Sequence, residues 1–271
     1  MKASKKLIIK PDKKVRLSDY DPEYTAGFKD KEAAENILKK NISSLSELQY
    51  HLQAENKRTL LIILQGMDTS GKDGTIRHVM SGSNPQDCQV TSFKIPSQEE
   101  YDHDFLWRIH KVIPPKGEIG IFNRSHYEDV LAARVHKIVP KSTWSLRYKQ
   151  INNFEEMLVQ NDVTILKFFL YISKGEQKER LEERLEDPKK NWKLSEEDFK
   201  ERKHWNDYIE AYEDALSLCS TKSAPWFVIP SNKKWFRNLA VSQIIIEILK
   251  DMNIKFPSLT FNLSKFKKII N

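Results

Sequence analysis

Cysteine is scarce in this chain of 271 residues: Cys88 and Cys219 are the only two, far apart and without Cys-x-x-Cys or Cys/His ligand spacing. That excludes a disulfide framework and a cysteine-based zinc site, and both thiols are expected to be buried and inert. No segment approaches an apolar run of about 18 residues, so no membrane span and no membrane partner are expected. The start, Met1 to Lys6, lacks the apolar stretch and small-residue cleavage site of an export signal, which makes the cytoplasm the expected location. Internal repeats, low-complexity tracts and nucleic-acid-binding motifs are also missing.

What the chain does have is charge. Lys and Arg number 45 against 38 Asp and Glu, a formal net charge of +7. Such an excess favours a polyanionic partner, and charge alone does not choose among nucleic acid, a membrane surface and a phosphate-rich small substrate. The length fits one large domain or two small ones, and is enough to bury a core without staples.

Hydrophobic periodicity organises the middle of the chain. Residues 1 to about 30 read as a basic extended arm, and 31 to 56 as a helix or broken pair of helices. Strands are predicted at 59–65, 89–93, 118–123, 163–172 and 226–229. Helices are predicted at 74–80, 98–112, 127–136, 143–160, 174–185, 195–218 and 234–252. Strands alternating with helices predict an α/β fold with a parallel sheet covered on both faces. The expected division is an arm and helix at 1–56, a core at 57–255 and a tail at 256–271. Pro188 should end the helix before it, and Ser195 with its following acids should cap the next. That helix, basic turn and helix, at about 174–205, could form a lid.

Three stretches carry candidate chemistry. In "GMDTSGKDGT" (66–75), Gly66, Gly71 and Lys72 have the G-x4-G-K spacing of a phosphate-binding loop, after a strand and before a helix. Asp68 and Asp73 are unusual beside a phosphate cradle. They suit magnesium held between carboxylate and phosphate; Asp68 also suits orienting an attacking phosphate, and Asp73 also suits the helix dipole. In "GIFNRSHYEDVLAARVHK" (120–137), Asn123, Arg124, Ser125 and Glu128 fall at a strand's C-terminal edge, where ligands bind in parallel α/β folds. Arg124 suits bidentate phosphate contacts, and Glu128 or Asp129 suits metal-bound water. His126 and His136 have no ligand-spaced partner and read as packing or surface residues. In the lid segment Arg180 and Arg184 share a helix face, with Lys189, Lys190 and Lys193 beyond. Its ten basic residues face ten acidic ones, so a solvated helix pair is the alternative.

Together "GMDTSGKDGTIRHVMSGSNPQ", "FNRSHYEDVLAARVH", "LKFFLYISKGEQKERLEERLEDPKKNWK" and "HWNDYIEAYEDAL" resemble the second family of polyphosphate kinases, over about residues 16–253. The resemblance implies a P-loop kinase fold like that of thymidylate kinase, three α/β/α layers with a helical lid. It implies magnesium-dependent transfer, with manganese as a substitute, between inorganic polyphosphate and the nucleotides AMP, ADP and ATP; a homo-oligomer is expected as well. Carried over residue by residue, Lys72 binds the transferring phosphates and Asp68 works with the metal. Many members have aspartate at position 123, where this chain has Asn123; that shifts the second metal-ligand expectation to Glu128. Many also have glycine where Asp73 stands. The "GKDGT" and "FNRSHYE" variants resemble the subgroup that phosphorylates both mono- and diphosphates. Ser70, Gly74, Thr75, Arg77, Lys94, Arg134, Arg180, Arg184, Lys189 and Lys190 complete the expected phosphate-contacting set. An ATP-dependent nucleotide kinase of the same fold and a basic nucleic-acid-binding protein are the alternatives.

Overall fold

The computed structural model describes residues 4–29, 31–258 and 263. Its strands are β1 (Thr59–Gln65), β2 (Cys88–Ser92), β3 (Ile119–Asn123), β4 (Val163–Tyr171) and β5 (Trp226–Pro230). All pair in parallel, in the order β2-β3-β1-β4-β5. The main helices are α1 (Lys31–Glu55), α2 (Lys72–Val79), α3 (Lys141–Gln160), α4 (Lys174–Glu186), α5 (Glu196–Lys203), α6 (Trp205–Leu218) and α7 (Lys234–Asp251).

Every residue of β1 is buried, because the strand lies mid-sheet with helices on both faces. Its side chains alternate accordingly. Leu61 and Ile63 join a cluster with Tyr148, Ile151 and Phe154 of α3 and Tyr212 of α6. Leu60, Ile62 and Leu64 join a second cluster with Leu45 and Leu52 of α1 and Ile244, Ile245 and Leu249 of α7. The loops leaving the neighbours β1 and β3 run in opposite directions, to β2 and to β4, which opens a crevice at the carboxyl edge.

The N-terminal arm is part of this core. Ile9 N–H donates to Trp226 O (2.8 Å), Leu17 N–H to Glu213 Oε1 (2.7 Å), and Ile9, Val15 and Leu17 are buried. Helix α1 joins α7 through Asn41 Nδ2 on Ser242 Oγ (2.9 Å). Of the expected tail, residues 259–262 and 264–271 lie outside the described residues. No helix among the described residues is long and apolar enough to cross a membrane.

Three expected helices are broken. The stretch 98–112 holds two single turns, Gln98–Tyr101 and Trp107–His110, because Asp104 Oδ1 accepts from Leu106 N–H and starts a new turn. The stretch 127–136 holds a 3-10 turn, His126–Asp129, capped by Ser125, and a separate turn, Ala132–Val135. The stretch 195–218 divides at His204 into α5 and α6. In the third case Trp205 turns into the core while α5 stays on the surface with no buried residue.

Candidate active site

The loop after β1 turns tightly at Gly66, whose φ is +155 and where a Cβ would meet Leu170 O at 2.7 Å. Only glycine tolerates that approach. Lys72, the first residue of α2, curls back so that Nζ donates to Gly66 O (2.8 Å) and Met67 O (3.3 Å). Burial lowers the Lys72 pKa and Arg124 adds to this, while Asp68, Glu128 and Asp73 oppose it. Thr69 Oγ1 and Ser70 Oγ are buried without a hydrogen-bond partner.

Arg124, just past β3, reaches across to the loop and its Nη2 lies 3.2 Å from Asp68 Oδ1. Desolvation works against its charge, but Glu128 and Asp68 outweigh it and hold the guanidinium firmly protonated. Its backbone is left-handed (φ 64), a conformation that costs energy and survives only where neighbours impose it. Here Arg124 N–H donates to Leu64 O (3.0 Å). On the other side Tyr127 and His126 both bond Glu155, which pairs with the buried Lys167. Gln65 completes the frame: with its amide turned to satisfy both neighbours, the nitrogen donates to Glu128 Oε1 (3.0 Å) and the oxygen accepts from Ser125.

Asn123 and Asp73 form one feature. Asn123 Nδ2 donates to Asp73 Oδ1 at 2.6 Å. An aspartate at 123 would place two carboxylates in that contact, a repulsion that Asn123 avoids.

The lid segment closes one side. Gln177 Nε2 donates to Asp68 O (3.1 Å), and Arg202 of α5 donates to Gln177 Oε1 (2.7 Å), which links both lid helices to the loop. Arg184 faces Asp198 across the two helices at 3.7 Å. Arg180 differs from the expected free phosphate contact. It is buried, with Nε on Glu176 (2.7 Å), Nη1 on Thr69 O (2.7 Å) and Nη2 on Ser231 O and Asn232 O. It braces the loop backbone.

Two cavities meet at Asp68, Phe93, Lys94, Arg124 and Asp198. The larger, about 1110 Å³, is lined by Gly71, Lys72, Asp73, Gly74 and Asn123 of the loop region together with Arg180, Arg184 and Lys190. Lysines and arginines outnumber carboxylates on its wall. The smaller, about 680 Å³, holds Gly66, Glu128 and Asp129 under a wall that includes Phe105, Trp205, Tyr208 and Tyr212, and there the carboxylates predominate. Asp129 turns from the junction toward Arg147 (3.1 Å) and Arg108 (3.8 Å). Burial pushes its carboxyl up to about 6 in spite of both arginines.

Five expected phosphate contacts stand elsewhere. Arg134 is taken up by Asp214 (2.6 Å) and lies over the Trp144 ring. Arg77 is exposed in the last turn of α2 and lines neither cavity. Thr75 is buried and bonds back to Gly71 O (3.0 Å), Lys189 is exposed outside both cavities, and Ser70 is buried beneath the loop. His126 packs inside the core, whereas His136 pairs with Glu201 (2.9 Å). Cys219 is buried as expected but Cys88 is only half-buried; desolvation raises both thiols, Cys88 to about 11 and Cys219 to about 12.

No group of three or more Asp, Glu, His or Cys that could hold a metal occurs among the described residues. Asp68 at the junction and Glu128 in the smaller cavity still fit magnesium, which takes one or two protein carboxylates and completes its shell with substrate phosphate and water.

The geometry of a phosphate loop facing a basic cavity has a counterpart among known proteins. Residues 28–257 match the family model described as Polyphosphate kinase 2. The chain belongs to that family. Among relatives of this polyphosphate kinase 2 chain, the AMP/ADP-polyphosphate phosphotransferase of Meiothermus ruber is 48% identical, covering 93% of this chain and 95% of the relative. The ADP-polyphosphate phosphotransferase of Rhodopseudomonas palustris is 43% identical, covering 95% and 93%. The crystal structure of Polyphosphate Kinase 2 from Arthrobacter aurescens TC1 superposes with a TM-score of 0.96 at 41% identity, covering 100% of this chain and 96% of that one. The three-layer architecture is thus the P-loop kinase fold of the polyphosphate kinase 2 family.

Residues that the sequence reading missed include Gln65, Gln177, Asp198 and Arg237. Arg237 donates to Ser70 O (3.1 Å). Their partners at the site, Ser125 for Gln65, Asp68 for Gln177, Arg184 for Asp198 and Ser70 for Arg237, lie distant in sequence, so no local pattern marks them.

Proposed function

We propose that this polyphosphate kinase 2 transfers the terminal phosphoryl group of inorganic polyphosphate to AMP and ADP, forming ADP and ATP. The observation that carries this reading is the meeting of two unlike cavities at Asp68 and Arg124. An extended polyanion of varying length suits the basic cavity, and a nucleoside suits the aromatic, carboxylate-bearing one. The names of the relatives support the same pair of acceptors. In the reaction an oxygen of the nucleotide's terminal phosphate bonds the end phosphorus of polyphosphate, the P–O–P bond breaks, and the shortened chain leaves with that electron pair.

The chain's own residues contribute positioning and charge. Lys72 leaves the loop carbonyls for the transferring phosphoryl oxygens. Arg124 bridges the two cavities, and Asp68 orients the acceptor against it. Glu128, fixed by Gln65, and Asp68 would hold magnesium, which supplies charge neutralisation between the two phosphate chains. The same reading takes the protein as a cytoplasmic homo-oligomer without a nucleic-acid partner, and light scattering checks its oligomeric state.

A matrix of AMP, ADP, GMP and GDP against polyphosphate or ATP as sole donor tests the assignment. Product from polyphosphate with AMP and ADP, lost on chelation of magnesium, is expected. Transfer from ATP alone would overturn it.

A further inference from the structure

Arg237 stands in the first turn of α7 and is 3% exposed. Its guanidinium is wedged against the phosphate loop. Nη1 donates to Ser70 O (3.1 Å), and Nε and Nη2 donate to Asn238 Oδ1 (3.2 and 2.9 Å). A Cβ on Gly71, itself left-handed with φ +97, would stand 1.8 Å from Nη1, and one on Gly74 would stand 3.3 Å from Nη2. Both glycines of Gly-Lys-Asp-Gly thus make room for this one side chain.

No carboxylate pairs with Arg237 among the described residues. The one charged group that bears on it is Arg180, a second buried cation, which together with burial pushes Arg237 down to about 9, still charged at neutral pH. Arg180 is bonded to Glu176, so the loop's underside carries one positive charge more than it balances. Burying a cation without a counter-charge is costly. That cost has a use if the counter-charge arrives with a ligand. Arg237 lines the larger cavity beside Gly71, Lys72 and Gly74, and a guanidinium has five N–H groups. Its three bonds leave one N–H on each terminal nitrogen, next to a loop whose Thr69 and Ser70 hydroxyls are also without partners.

We infer that Arg237 is a donor-binding residue, a buried cation held without a carboxylate so that the phosphate chain entering the larger cavity supplies its counter-charge. This rests on polyphosphate being the donor. A purely structural staple would act on Ser70 O alone and would leave donor affinity untouched.

Arg237→Met in the full chain separates the two roles, because it keeps the volume and removes the charge. The KM for polyphosphate should rise about tenfold, the worth of one charge-assisted contact, while the KM for AMP stays within twofold. The unliganded melting temperature should hold or rise, and the shift that inorganic tripolyphosphate adds to it should shrink. Arg237→Lys, which keeps the charge and loses the fork, should fall between, and decides the matter if the methionine variant does not fold. A wild-type KM for polyphosphate in the variant that folds overturns the inference alone, with or without a loss of unliganded stability. Failure of the wild-type protein to bind tripolyphosphate or polyphosphate overturns the donor assignment with it.

Discussion

At the rim of the larger cavity four lysines reach solvent: Lys94, Lys190, Lys193 and Lys234 are exposed, and Lys190 and Lys234 pair with the carboxylates Asp187 and Glu183. In the smaller one the arginines Arg108 and Arg147 are sequestered against Asp129, and His136 lies beside Glu201. Exposed pairs of the first kind are weak and screened by salt, which suits a chain that must slide through many equivalent positions. Buried networks of the second kind fix shape, which suits a ligand with one correct pose. The junction belongs to both, and there the charges are few, close and held by strained or framed backbone.

The comparison breaks first at the junction. Lys72→Ala and Asp68→Asn should each cut transfer about 10²- to 10³-fold with either nucleotide, with the far-UV circular dichroism unchanged; near wild-type turnover would remove them from the reacting set. On either side the effects should be smaller and reciprocal. Lys190→Ala with Lys193→Ala should raise the KM for polyphosphate about tenfold, less so at high salt, and leave AMP alone. Tyr208→Ala should raise the KM for AMP and ADP by about three- to tenfold and leave polyphosphate alone. Steady-state kinetics with one substrate saturating checks both, and parallel changes in the two KM values would erase the distinction between the cavities.

The smallest effect concerns the sequestered network. The Asp129 carboxyl is raised from 3.8 to about 6 by burial, so its folded form binds the proton more tightly than its unfolded form. The stability it contributes is complete below about pH 4 and is lost as the pH rises through about 6, an amount on the order of 2–3 kcal/mol. Asp129→Asn removes that dependence. Urea unfolding from pH 4 to 7 should show the variant gaining on the wild type as the pH rises, and parallel curves would contradict it.

The strands were legible to within a residue at most ends, since buried parallel strands are short apolar runs. β1 has the predicted bounds, and β2 and β3 shift by one. The broken helices were not legible, because the breaks at Asp104, at Val130–Leu131 and at His204 fall inside stretches whose apolar spacing continues through them. Asp68, Lys72, Arg124 and Glu128 meet as a local reading expects: a loop after β1 and a turn after its neighbour β3 must share one edge. Arg134, Arg77 and Arg180 are placed otherwise than expected for a different reason. Their charge is visible in the sequence, but their direction depends on Asp214, on the helix face, and on the carbonyls of residues 69, 231 and 232.

Sequence by itself determined the α/β class, the phosphate loop and the motifs that carry the family resemblance, because strand burial and loop geometry depend on residues adjacent in the chain. Only the tertiary structure decided which cations are free and which are spent, that Asn123 and Asp73 bond each other, and that Gly71 and Gly74 accommodate Arg237. Those facts depend on partners some 50 to 170 positions away, and the energy of a charge is set by what surrounds it rather than by what precedes it.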